Sequence, residues 1–145
     1  MKVRFKKLHQ DAVIPSYANP GDAGLDITCI AYAYNQADNY LEYYTGLAVE
    51  IPEGHVGLLF PRSSISRTNL SLTNCVGVVD SGYRAELKFR YRFPDGYTAG
   101  KIRRYDKGDR IGQLVILPYP HIEPEEAMSL SDTVRGEGGF GSTGN

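Results

Sequence analysis

The chain has 145 residues, 41% hydrophobic and 23% charged, a composition that suits one globular domain and lies far from a disordered or membrane-spanning profile. Its 16 basic and 17 acidic residues leave a formal charge of -1. No global field therefore draws it to nucleic acid or anionic lipid, and any anion it binds must be held by a local group.

The N-terminal Met1-Lys-Val-Arg-Phe-Lys-Lys alternates charge with apolar residues and never forms the long apolar run of a signal peptide. Val3 to Leu8 reads as the first strand. Gly24 to Tyr34, Leu47 to Ile51, Val56 to Phe60 and Leu70 to Val79 follow, each closed by Pro, Gly or Asn/Asp. Ser63 to Asn69, after Pro61-Arg62, is the one stretch with helical character, a turn or two that Ser63 or Ser64 would cap. The plainest strand is Glu86 to Phe93, where Leu87, Phe89, Tyr91 and Phe93 alternate with Glu86, Lys88, Arg90 and Arg92. Ile111 to Leu117 is nearly continuous in apolar residues, as in a strand covered on both sides.

Sixteen glycines, eight prolines and eleven tyrosines punctuate these runs. Such spacing predicts an all-β sandwich or barrel, with most tyrosines, Tyr83 included, packed in the core. The two cysteines, Cys29 and Cys75, have no metal-binding or redox spacing and are expected to be buried reduced thiols, which favours the cytoplasm.

The glycine-rich end from Arg135 to Asn145 has a single large apolar residue, Phe140, and cannot recover its ordering entropy alone. It is either a disordered tail or an arm that orders on a ligand. It lacks the lysine of a phosphate-binding P-loop, and the chain stops where the helix of such a loop should begin. What it does offer is a cation, backbone N–H groups, two hydroxyls and an aromatic face, a set able to close over a nucleotide.

Polar clusters stand at several strand ends: Asp22-Ala-Gly-Leu-Asp26, Pro61-Arg-Ser-Ser64, Gly77-Val-Val-Asp80-Ser-Gly-Tyr83-Arg84 and Gly108-Asp-Arg-Ile-Gly-Gln113. Each alone fits an ordinary turn carboxylate, surface ion pair or buried amide as well as it fits a site. Taken in this order with the C-terminal arm, they resemble the five motifs of the trimeric dUTPase family, from Asp22 to Gly144. There are departures. Ala85 stands where the family usually has glycine, Ser64 and Ser66 where Gly and Ala are common, and Gly112 where alanine precedes Gln113. The segment Phe93 to Asp106, with Tyr97, Arg103, Arg104 and Tyr105, matches no motif and reads as a hairpin on the rim or as a contact for another protein.

The resemblance implies a distorted jelly-roll β-barrel (1–132), homotrimeric, with a flexible arm (133–145) that closes over an active site built from all three copies. It implies a dUTP diphosphatase that yields dUMP and pyrophosphate by water attack at the α-phosphorus, with magnesium across the triphosphate. Such an enzyme limits uracil incorporation into DNA and supplies dUMP for thymidylate synthesis, in the cytoplasm or a host cell's cytoplasm. By similarity Asp80 deprotonates the water and Tyr83 packs on the deoxyribose. Asn74 and the backbone up to Val79 read uracil. Arg62, Ser63, Ser64 and Gln113 hold the α- and β-phosphates, and Asp26 supports the metal through water. Arg135, Ser142 and Thr143 hold the γ-phosphate, with Gly141 beside them and Phe140 over the base. The partners implied are dUTP and further copies of the chain, with no nucleic acid and no membrane.

Overall fold

The computed structural model describes residues 1–93 and 103–139. Among these, the strands are β1 (Arg4–Lys7), β2 (Leu25–Thr28), β3 (Ala31–Asn35), β4 (Tyr40–Tyr44), β5 (Leu47–Glu50), β6 (His55–Pro61), β7 (Ser71–Leu72), β8 (Gly77–Val79), β9 (Lys88–Arg92) and β10 (Arg110–Pro118). The only helix among them is a 3-10 turn, Ser63–Arg67. The chain is all-β, as expected. Strands pair in the orders β1-β5, β2-β10-β6-β8 and β3-β4-β9-β7, antiparallel throughout.

Alternation explains β9 directly: Phe89 and Tyr91 are buried, and Lys88, Arg90 and Arg92 are exposed. Inside, Tyr43 meets Tyr91 edge-on at 5.7 Å, and Phe89 stacks on Tyr91 at 6.2 Å. The buried hydroxyls are satisfied, Tyr91 donating to the Ile111 carbonyl at 2.6 Å and Tyr43 to that of Tyr105 at 3.1 Å. Without those acceptors each would cost about 1–3 kcal/mol. Only Tyr43, Tyr91 and Tyr105 of the described tyrosines are buried, fewer than the composition suggested. The rest are half-buried or exposed, Tyr83 among the exposed at 41%.

Two predicted strands are each split in two, for one reason. Leu25–Thr28 pairs with β10, but after Cys29 and Ile30 the chain crosses to the other large sheet and Ala31–Asn35 pairs with β4. Likewise Ser71–Leu72 pairs with β9 and Gly77–Val79 with β6, the turn between them forcing Cys75 to a φ of +60°. These are corners where a strand changes sheets. Strand β4 went unpredicted because Glu42 interrupts its apolar run. In the fold Glu42 lies opposite Arg90 and bonds both Arg90 (2.7 Å) and Lys88 (3.1 Å), so a buried charge becomes tolerable.

Further corrections concern caps, thiols and the long segment. The 3-10 turn has Arg62 at its N-cap and no side-chain cap, so neither Ser63 nor Ser64 plays that part. Cys29 is buried, which pushes its thiol up to about 11, but Cys75 is exposed. Of the motif-free segment, Phe93 and Tyr105 are buried, and Arg104 lies over the Tyr32 ring at 5.0 Å. Asn69 fastens Arg103 by two bonds of 2.9 Å, its N–H donating to the Arg103 carbonyl and its Oδ1 accepting the Arg103 N–H. Tyr97 lies outside the described residues. Leu117 is 44% exposed, so β10 is covered on both sides only along its first half.

Gly112 sits beneath the Phe89 ring, where a Cβ would overlap the ring and come within 3.0 Å of the Phe60 carbonyl oxygen. The departure from alanine there is thus matched to the phenylalanine packed on it. After β10, residues 119–139 contribute no strand, and Ile122 (71%), Met128 (106%), Leu130 (88%) and Val134 (111%) lie bare. No helix among the described residues is long and apolar enough to cross a membrane.

Candidate active site

Register across the large sheet places the first group of predicted residues. Gln113 of β10 stands opposite Asp26 on one side and Phe60 on the other, with Arg62 just past the end of β6. Asp26 is buried and fully engaged: its Oδ1 accepts from Arg62 Nε (3.0 Å) and Gln113 Nε2 (3.1 Å), and its Oδ2 from Arg110 Nη1 (2.8 Å). The side chains of Arg62 and Arg110 are 22% and 51% exposed. One carboxylate against two guanidiniums leaves a net positive group, half wet, suited to an anion such as a phosphate.

Arg110 is the member of this group that sequence reasoning missed. In a regular strand residues 110 and 113 face opposite ways. A bulge between Arg110 and Gly112 resets the parity, so that both side chains reach Asp26. Ser64 lies alongside, its hydroxyl 3.3 Å from that of Tyr105, and Ser63 is exposed on the 3-10 turn. A groove of about 390 Å³ runs past Arg62, Ser64, Arg104 and Arg110.

The second group surrounds the sheet-changing corner of residues 73–76. A cleft of about 610 Å³ opens there, lined by Thr73, Asn74, Gly77, Tyr83, Ala85 and Glu86 among others. Val79 is buried in β8, and Asp80 emerges exposed at its end. The Asp80 carbonyl accepts the Tyr83 N–H at 3.0 Å, closing a tight turn, and the Tyr83 hydroxyl donates to the Glu86 carbonyl at 3.0 Å. Among the described residues the Asp80 carboxylate has no hydrogen bond or ion pair.

The two groups lie apart within one chain. Val79 pairs with Gly57 near the start of β6, whereas Arg62 follows its end. Carried one residue past β8, that register puts Asp80 level with residue 56, six positions from Arg62, or roughly 20 Å at the rise of a strand. That exceeds the span of a triphosphate.

The third group is the arm. Arg135 is exposed and its Nε bonds the Gly138 carbonyl at 2.8 Å, in a turn where Gly136 takes a φ of +54°. Phe140, Gly141, Ser142 and Thr143 lie outside the described residues.

Among the described residues no three His, Cys, Asp or Glu side chains gather as a metal cage. Asp26, expected to support a metal through water, has both oxygens bonded by three N–H donors, so the carboxylate is not arranged to ligate a metal directly.

An antiparallel all-β chain with a polar cleft at one strand end and a buried arginine-bound carboxylate at another has the parts of a nucleotide site. The dUTPase family model matches residues 10–144, and the chain belongs to the dUTPase family. A deoxyuridine 5'-triphosphate nucleotidohydrolase of Rhodococcus erythropolis is 41% identical over 145 residues, covering 99% of this chain and 87% of that one. The dUTPase of Staphylococcus bacteriophage 80alpha, solved with dUPNHPP, superposes with a TM-score of 0.83 at 30% identity, covering 99% of each chain. A mutant dUTPase of phage phi11 of S. aureus, described with a coordinated structural Mg(II) ion, gives 0.72 at 28% identity over 89% of this chain and 98% of that one.

Proposed function

We propose that the chain is a dUTP diphosphatase that works as a homotrimer, each site taking its cleft from one copy, its arginine cluster from a second and its arm from a third. Membership of the dUTPase family supports the reaction, and the separation of Asp80 from Arg62 supports the sharing. The bare apolar residues from Ile122 to Val134 support it further, since an extended segment with such exposure finds cover on another copy. On this reading residues 1–132 form the barrel and 133–145 the arm.

The observation that carries the mechanism is the exposed Asp80 carboxylate beside the cleft. Asp80 accepts a proton from water as that water attacks the α-phosphorus, and the bond to the β-phosphate oxygen breaks to release pyrophosphate. In the cleft Asn74 and the backbone up to Val79 hold the uracil edge, and the Tyr83 ring occupies the place a 2'-hydroxyl would need. Arg62, Arg110, Gln113, Ser63 and Ser64 receive the α- and β-phosphates, with Asp26 holding the arginines in position. Arg135, Ser142 and Thr143 take the γ-phosphate while Gly141 and Phe140 close over the nucleotide and exclude bulk water. Magnesium arrives as part of the metal–nucleotide substrate, neutralising the triphosphate. Two free thiols suit the reducing cytoplasm.

The test is pyrophosphate release from dUTP with magnesium. Stoichiometric pyrophosphate and dUMP are expected. Tight dUTP binding without pyrophosphate would make the chain a nucleotide sensor, and dUTP formed from dCTP would make it a deaminase.

A further inference from the structure

Tyr83 is 41% exposed, so packing holds its ring only in part, yet it must keep one orientation if it is to exclude a ribose. Its hydroxyl donates to the Glu86 carbonyl at 3.0 Å, and no other side-chain bond fixes it among the described residues. The question becomes what fixes Glu86. Its own carboxylate accepts the Gly46 N–H at 2.7 Å. Gly46 is a rigid anchor: its φ is +65°, and a Cβ there would meet Ile30 at 2.7 Å, His9 at 3.0 Å and Ala12 at 3.1 Å, so only glycine fits. Two further bonds hold the next residue, Leu87 N–H to the Leu47 carbonyl (2.8 Å) and Thr45 Oγ1 to the Leu87 carbonyl (2.6 Å).

We propose that Glu86 is a positioning residue for sugar selection, its carboxylate clamping the strand start to the Thr45–Gly46 corner so that its carbonyl holds the Tyr83 ring against a 2'-hydroxyl. This rests on the reading of Tyr83 as the sugar-excluding ring. Glu86 touches no reacting atom. Without the clamp the Glu86 peptide, just before β9, is held only from its Leu87 side, its carbonyl tilts and the ring swings, so UTP gains more than dUTP loses.

The test compares kcat/KM for dUTP and UTP in the full-length protein and four single variants. Glu86→Ala is expected to lower the dUTP preference about five- to tenfold, the scale of one lost orienting hydrogen bond, chiefly through a rise in UTP turnover. Glu86→Gln, whose Oε1 still accepts the Gly46 N–H, is expected to restore the preference. Tyr83→Phe removes only the hydroxyl and is expected to match Glu86→Ala; it also stands in should Glu86→Ala fail to fold. An unchanged preference in Tyr83→Phe, or in a folded Glu86→Ala, overturns the proposal if Tyr83→Ala still relaxes selection. An unchanged preference in Tyr83→Ala instead overturns the reading of Tyr83, and the role of Glu86 with it.

Discussion

The cleft at residues 73–86 leaves Asp80 without a side-chain partner among the described residues, whereas the Asp26 cluster turns donors of Arg62, Arg110 and Gln113 onto its own carboxylate. The cleft is built open, its backbone pinned by the turn at Asp80–Tyr83 and by the sheet change at Cys75. The cluster is built closed, with the Asp26 carboxylate engaging the guanidinium donors. On the proposed reading base and sugar recognition is thus preformed, and phosphate binding requires guanidinium N–H groups to be shared between Asp26 and the incoming anion. A triphosphate would then meet fixed shape at one end and exchangeable charge at the other.

Four changes would break or sharpen that contrast. The largest effect is expected from Asp80→Asn, which keeps the cleft but loses the proton acceptor. Turnover should fall ~10²–10⁴-fold with dUTP affinity kept, as measured by single-turnover kinetics beside equilibrium binding. Near-normal turnover would remove Asp80 from the mechanism. Deleting residues 135–145 should leave a folded protein, since among the described residues Arg135 bonds only within its own turn, yet cost on the order of 10²-fold in kcat/KM through lost closure. An active truncation would reduce the arm to a tail.

Gly112→Ala tests the sheet that joins the two regions. The added methyl must displace the Phe89 ring, and urea unfolding should show a loss of about 1–3 kcal/mol. The smallest effect belongs to Glu42, which lines neither region itself although its partners Lys88 and Arg90 line the cleft. Burial opposes its charge, but bonds from Lys88 and Arg90 more than offset this and hold its carboxyl below the usual carboxylate range. Its folded-state value is lowered, so its contribution is present above the unfolded value and lost as pH falls through the folded one. Because Lys88 and Arg90 are 37% and 55% exposed, that contribution is discounted to about 1 kcal/mol or less. The stabilities of Glu42→Gln and the unaltered chain should converge as pH drops below about 4; a gap that stays constant would argue for shape rather than charge.

The strands that alternate or run apolar were legible in the sequence, as β9 and β10 demonstrate. Where a run changes sheets it was not, because alternation says which face a side chain takes and not which sheet its strand joins. Gly24 to Tyr34 and Leu70 to Val79 each read as one strand for that reason. Strand β4 hid behind Glu42, whose partners Lys88 and Arg90 lie 46 and 48 residues away. The motif residues were found as residue types, and the fold brings Asp26, Arg62 and Gln113 together as one cluster and Asn74 and Tyr83 as another. Arg110 escaped because a bulge, which no periodicity announces, turns it toward Asp26. The exposure of Cys75 follows from a left-handed turn that the apolar run around it concealed.

Subunit complementation tests most directly whether the cleft and the cluster of one site come from different copies. Asp80→Asn and Arg62→Ala, each nearly inactive alone, are unfolded, mixed in equal amounts and refolded together. If sites are shared between copies, the mixture recovers about a quarter of the unaltered turnover, the share of sites that random assembly makes whole. If each chain builds its own site, every site keeps one defect and the mixture stays as inactive as its parts.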